Sequence, residues 1–253
     1  MPDCSLQPSS VGLPQRRVLI VGLGGLGVPA AAALAAAGVG TLGLVDDDGV
    51  QLSNLHRQTI YRTCDVGRHK AVVAADWLAT RFPNVATEVF DCQLDADNLG
   101  AIFPRFDFVI DGTDRITSKY LVNDGAVLHH VAYSHAGVVG FKGQTVTVVP
   151  GRSACLRCLF PLPPADDDIP TCQESGVIGA LAGCIGLVQA TEAIKFLMGL
   201  DDRLLTNQLL TCDARAAHWR TVPLVQDPMC PICGDHPTIR TLAPAGYRSV
   251  SCP

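Results

Sequence analysis

Two cysteine pairs, Cys155/Cys158 and Cys230/Cys233, carry the CxxC spacing that can close a tetrahedral thiolate site around zinc. Four sulfurs leave no open position for water, so such a zinc would be structural and would staple two distant parts of the chain. Four unrelated core cysteines are the alternative. Either way, the chemistry has to come from elsewhere. Upstream, Gly22-Leu23-Gly24-Gly25-Leu26-Gly27 lies between an apolar β-branched run and an alanine-rich run. Glycines at Gly22, Gly24, Gly25 and Gly27 permit a tight turn and let phosphate approach the amides at a helix start. Asp46 follows about 20 residues on, at the end of the next apolar run, where a carboxylate binds ribose hydroxyls. These features fit a dinucleotide as well as a mononucleotide.

The next segment separates those options. Asn54 and Arg57 stand three residues apart and so share one face of a helical turn, and Lys70 opens the helix that follows. A dinucleotide offers only a pyrophosphate, which a helix dipole largely holds. Added cations at Arg57 and Lys70 suggest a triphosphate, with ordinary surface charge as the alternative.

The elements that position these residues alternate. Strands are expected at residues 17–22, 41–46, 85–90 and 106–110, with helices at 25–37, 66–81 and 114–129, then a further strand at 131–134. This rhythm predicts an α/β fold: a Rossmann-like, doubly wound, mostly parallel sheet with ligands at the strand C-termini. After Ser134 the pattern changes. Residues 143–149 alternate with period two, as an antiparallel strand with one polar face does, and short strands are expected at 208–213 and 218–223. A helix should span about 175–198. The proline- and aspartate-rich stretch around 161–170 reads as a mobile loop. Cys92, Cys184 and Cys212 are expected in the core, and Glu192 and Lys195 as a helix-face pair.

Composition narrows the function classes. Of 253 residues, 48% are hydrophobic and 17% charged, which describes a packed globule. A net charge of −5 without a basic run argues against nucleic acid. No stretch of about 18 apolar residues free of glycine breaks and charges appears, so no membrane span is expected. Eleven cysteines without a signal peptide imply reduced thiols, a metal site and a cytoplasmic location.

Taken together, the glycine loop, Asp46-x-Asp48, Ser53-Asn54-Leu55-His56-Arg57-Gln58, Gly67-x-x-Lys70 and Asp111-Gly112-Thr113-Asp114 resemble the ThiF/MoeB/HesA adenylyltransferases, relatives of the ubiquitin-activating enzymes. Phe141 to Val146, Thr171 to Val177, Gln189 to Lys195 and both cysteine pairs extend the likeness from about residue 16 to the C-terminus. The resemblance implies ATP-dependent adenylation of the C-terminal glycine of a ubiquitin-like sulfur carrier ending in Gly-Gly. It implies that Asp46 binds ribose, that Asn54, Arg57 and Lys70 hold the triphosphate, that Asp48 and Gln58 belong to the same nucleotide site, and that Asp114 ligates Mg²⁺. Capping of the following helix is the other role open to Asp114. Cys172, ahead of a helix start, would form a thioester or persulfide link in some members.

The resemblance further implies a homodimer and a separate sulfur donor, since no rhodanese-like segment follows the second cysteine pair. One domain is expected over 16–253 after a short tail at 1–15, with a nucleotide-binding half at 16–135 and a carrier-binding half at 136–253. The family's N-terminal Arg-Tyr-Ser-Arg-Gln-like motif is missing; only Arg16 and Arg17 lie nearby. An NAD(P)-dependent oxidoreductase and a non-catalytic binder of a ubiquitin-like protein remain the alternative functions.

Overall fold

The computed structural model describes residues 12–163 and 176–247. Five short strands form a parallel core: β1 (Arg17–Val21), β2 (Thr41–Val45), β3 (Ala86–Phe90), β4 (Phe108–Asp111) and β5 (Ala132–Val139). Three antiparallel strands continue the sheet: β6 (Lys142–Val148), β7 (Gln208–Asp213) and β8 (His218–Pro223). The spatial order is β3-β2-β1-β4-β5-β6-β7-β8. The order reverses between β1 and β4, and the crevice beyond their C-terminal ends is where a doubly wound sheet binds ligands. The expected fold is therefore the observed one.

Among the described residues, six helices cover the sheet: α1 (Gly27–Ala36), α2 (Lys70–Arg81), α3 (Leu99–Ile102), α4 (Ile116–Leu128), α5 (Leu156–Leu159) and α6 (Gly179–Leu197). Strands buried on both faces read as continuous apolar runs: Val18, Leu19 and Ile20 in β1 are fully buried. One apolar cluster lies under α1, α2 and α6; a second lies under α3 and α4 and takes in Cys155, Cys230 and Ile232. Residue 135, where the two halves were expected to meet, falls within β5.

Three expectations need correction. Helix α2 starts at Lys70, not Val66: Gly67 has φ 89°, and His69 is extended and bridges to Gly49, so Val66 stays 45% exposed before the helix begins. The polar face of β6 is not solvated. Thr145 and Thr147 are fully buried, because α6 packs there and Glu192 accepts a hydrogen bond from Thr147 at 2.7 Å. Glu192 does pair with Lys195, yet it is buried and also accepts from the Leu205 amide, so it ties α6 to two other segments. Finally, Cys184 lies on the exposed side of α6, whereas Cys212 is buried and Cys92 half-buried.

Helix α6, at 19 residues and a mean hydropathy of 1.4, is long and apolar enough by length and composition to cross a membrane, although Gly183, Gly186, Glu192 and Lys195 interrupt its apolar run. Its buried face, with Gln189 and Glu192 among Leu181, Ile185 and Leu197, lies against the sheet and α1.

Candidate active site

The switch-point crevice opens into a cleft of about 1660 Å³. Its floor is the glycine loop after β1 and the Gly112–Asp114 turn after β4. These two loops touch: a Cβ on Gly22, whose φ is 87°, would stand 2.8 Å from the Gly112 carbonyl oxygen. Gly27 serves packing, since a Cβ there would come 1.9 Å from the Gly22 carbonyl oxygen and push α1 off the strand. Gly24 and Gly25 line the open side.

Asp46 ends β2 inside this cleft. One carboxylate oxygen accepts from the Leu23 amide at 2.6 Å and the other from the Asp48 amide at 2.9 Å. Burial raises its pKa, and the nearby Lys70 charge works against that rise. Lys70, 4% exposed at the first turn of α2, gives its Nζ to Asp48 at 2.6 Å and lies 3.9 Å from Asp46. Asp46, Asp47 and Asp48 also bring carboxylate oxygens within 4.8 Å of one another.

The opposite rim comes from the 3-10 turn over Leu52–Asn54 and the residues after it. Asn54 Oδ1 accepts from Arg57 Nη2 at 3.0 Å, so the pair expected to share one face does so. Gln58 is 3% exposed, lines the cleft, and holds a buried Oε1 with no partner among the described residues.

Asp114 is exposed at the mouth of the cleft, and its side chain makes no hydrogen bond or ion pair among the described residues. Helix α4 begins two residues later with Arg115 at its N-cap position, so capping does not occupy this carboxylate. Arg16 and Arg17 lie at the other end of β1, where they pair with Asp107 and Glu88. Cys172 lies outside the described residues.

Sequence reading missed the group beneath the Gly112–Asp114 turn. Asp111, fully buried, receives His135 Nδ1 at 2.9 Å and Lys119 Nζ at 3.4 Å, and Lys119 also donates to the Thr113 and Ala136 carbonyls. Burial would raise the Asp111 pKa. The Lys119 charge and the His135 hydrogen bond outweigh burial and hold it at about 2. Burial in turn lowers the His135 pKa. The Asp111 motif was visible, but nothing in the sequence ties it to residues 8 and 24 positions away.

Away from the cleft, the four cysteines of the two pairs converge. Cys155 lies 3.6 Å from Cys230 and 3.4 Å from Cys233, and Cys158 lies 3.3 Å from Cys233 (sulfur to sulfur). A zinc–sulfur bond of about 2.3 Å gives a tetrahedral edge of roughly 3.8 Å, whereas a disulfide needs about 2.05 Å. The donor set and spacing fit zinc.

The chain belongs to the ThiF family, whose model matches residues 10–232. Among its relatives is a sulfur carrier protein adenylyltransferase of Thermus thermophilus, 41% identical over 91% of this chain and 86% of that protein. The SAMP-activating enzyme E1 of Haloferax volcanii is 41% identical over 87% of this chain and 80% of its own length. The crystal structure of E. coli MccB shares the fold, with a TM-score of 0.80 at 22% identity over 90% of this chain and 67% of that one.

Proposed function

We propose that this protein adenylates the C-terminal glycine of a ubiquitin-like sulfur carrier ending in Gly-Gly. The observation that carries this reading is the meeting, in one cleft, of the glycine loop, the buried Asp46 carboxylate, Lys70 and Arg57, and the exposed Asp114 carboxylate. The names of the two relatives point to the same reaction. Lys70 and Arg57 together suit a triphosphate better than the pyrophosphate of a dinucleotide.

In the reaction, a carboxylate oxygen of the carrier's last glycine attacks the α-phosphorus of ATP. The α–β P–O bond breaks, pyrophosphate leaves with both bonding electrons, and an acyl-adenylate remains. Asp46 orients the ribose. The helix-start amides around Gly24 and Gly25 receive phosphate, and the buried Gln58 Oε1 is available to a donor on the nucleotide. Asn54, Arg57 and Lys70 neutralise charge that builds on the triphosphate; such transfers are catalysed chiefly by positioning and electrostatics. Lys70 is held ready by Asp48, which releases it as phosphate arrives. Asp114 would hold Mg²⁺. When bound, that ion draws charge from the phosphate oxygens.

Cys155, Cys158, Cys230 and Cys233 would hold zinc as a structural staple. Cys172 is the candidate acyl acceptor of the later transfer, with sulfur coming from a separate protein. We further place the enzyme in the cytoplasm as a homodimer, with carrier binding in the half after residue 135. ATP–pyrophosphate exchange tests the reading. Exchange should appear only with a Gly-Gly-ending carrier and disappear when the terminal glycine is removed; exchange indifferent to carrier would refute it.

A further inference from the structure

The chain leaving the first cysteine pair reads Phe160-Pro161-Leu162-Pro163 and forms one side of the cleft. Prolines remove backbone donors, so such a segment can be anchored mainly through its carbonyl oxygens. Three consecutive carbonyls are held here. The Tyr120 hydroxyl on α4 is shared between the Phe160 carbonyl at 3.0 Å and the Leu162 carbonyl at 2.8 Å. Arg157 Nη1 donates to the Pro161 carbonyl at 2.9 Å between them. The side chains of this strap stay uncovered: Phe160 is 45% and Leu162 77% exposed.

The anchors are themselves fixed. Arg157, between Cys155 and Cys158, is 6% exposed and makes a forked pair with the fully buried Asp124 of α4, at 2.8 Å and 2.7 Å. Tyr247 also donates to Asp124 at 2.7 Å, and the Arg157 guanidinium stacks 4.8 Å from the Tyr120 ring centre. A forked guanidinium over an aromatic ring is a geometry lysine cannot reproduce. One rigid set of contacts thus joins the cysteine cluster, α4 and the strap. Asp114 lies just ahead of α4 on the same cleft.

Resting on the function proposed above, we propose that the strap at 160–162 is the wall against which the carrier's C-terminal tail is laid, and that Tyr120 and Arg157 are positioning residues for it. The wall offers Phe160, Pro161 and Leu162 to the same cleft that Gly137, Val138 and Gln144 of β5 and β6 line. An extended glycine-ending peptide suits a slot of this kind, because it needs a fixed surface and brings no bulky side chain.

Tyr120→Phe is the sharpest probe, since it keeps the ring under Arg157 and removes only the hydroxyl. Steady-state adenylation should show the KM for the carrier that supports exchange rising about three- to tenfold, as loss of one hydrogen bond implies, with KM for ATP and zinc content unchanged. Crystals of the variant should show residues 160–162 displaced, and Arg157→Lys should give the same signature. A strap left in place, or a displaced strap with an unaltered carrier KM, overturns the proposal. A wild-type protein that adenylates no carrier refutes the functional reading instead, and an unmoved strap in the variant crystals would then still refute the anchoring.

Discussion

The cleft and the cysteine cluster are built on opposite principles. The cluster is complete in itself: four like groups lie within 4.8 Å of one another, two of them buried, and one cation would use every donor. The cleft is incomplete. Lys70 and Asp46 are held by protein partners, while Asp114 and the Gln58 Oε1 have none among the described residues. Closed polar groups make structure, and unsatisfied ones facing a crevice await a ligand.

Breaking the cleft should spare the cluster. Lys70→Ala is expected to lower the adenylation rate about 100- to 1000-fold, the range for one preorganised charge at a transition state, with zinc content intact by metal analysis. Parallel loss of zinc would show that the two regions are not independent. Asp114→Asn should lose a comparable factor, and added Mg²⁺ should recover part of it. In the other direction, Cys230→Ser with Cys233→Ser is expected to lower the melting temperature on the order of 10 °C by calorimetry while ATP affinity holds. Unchanged melting would mean that the sulfurs staple nothing.

The difference between the regions also explains what could be read in advance. The cysteine pairs, the glycine loop and Lys70 are each written in a few neighbouring residues, so spacing sufficed. The Asp111–His135–Lys119 group and the Arg157–Asp124 pair join positions 24 and 33 apart, through strand order and helix packing that no local pattern encodes. The same holds for β6: alternation announced a polar face, but only α6 docking decides that Thr147 meets Glu192 instead of water. The start of α2 was misplaced because Val66 continues the apolar pattern, while the backbone at Gly67 and His69 has already left the helical region.

Two smaller effects sharpen the comparison. His135 has a lowered pKa when folded, so on acidification the unfolded chain takes up its proton first, and stability should start to fall below about pH 6.5. Asp111, depressed to about 2, contributes stability that is present above about pH 4 and is lost only as pH falls towards 2. Urea titrations should show lower stability at mildly acidic than at neutral pH, a difference that His135→Gln abolishes. An unchanged slope would contradict the assignment. Cys184→Ser should change stability by no more than about 0.5 kcal/mol, as for an exposed position, and a larger loss would return Cys184 to the core.

The central claim is that the cleft delivers a peptide carboxylate to the α-phosphate of ATP. Intact-mass spectrometry of a Gly-Gly-ending ubiquitin-like carrier, incubated with the enzyme, Mg²⁺ and ATP, tests it most directly. The account predicts a carrier bearing one AMP at its terminal glycine, with pyrophosphate released, and both products formed about 100- to 1000-fold more slowly by Lys70→Ala. An unmodified carrier accompanied by ADP and inorganic phosphate would contradict it.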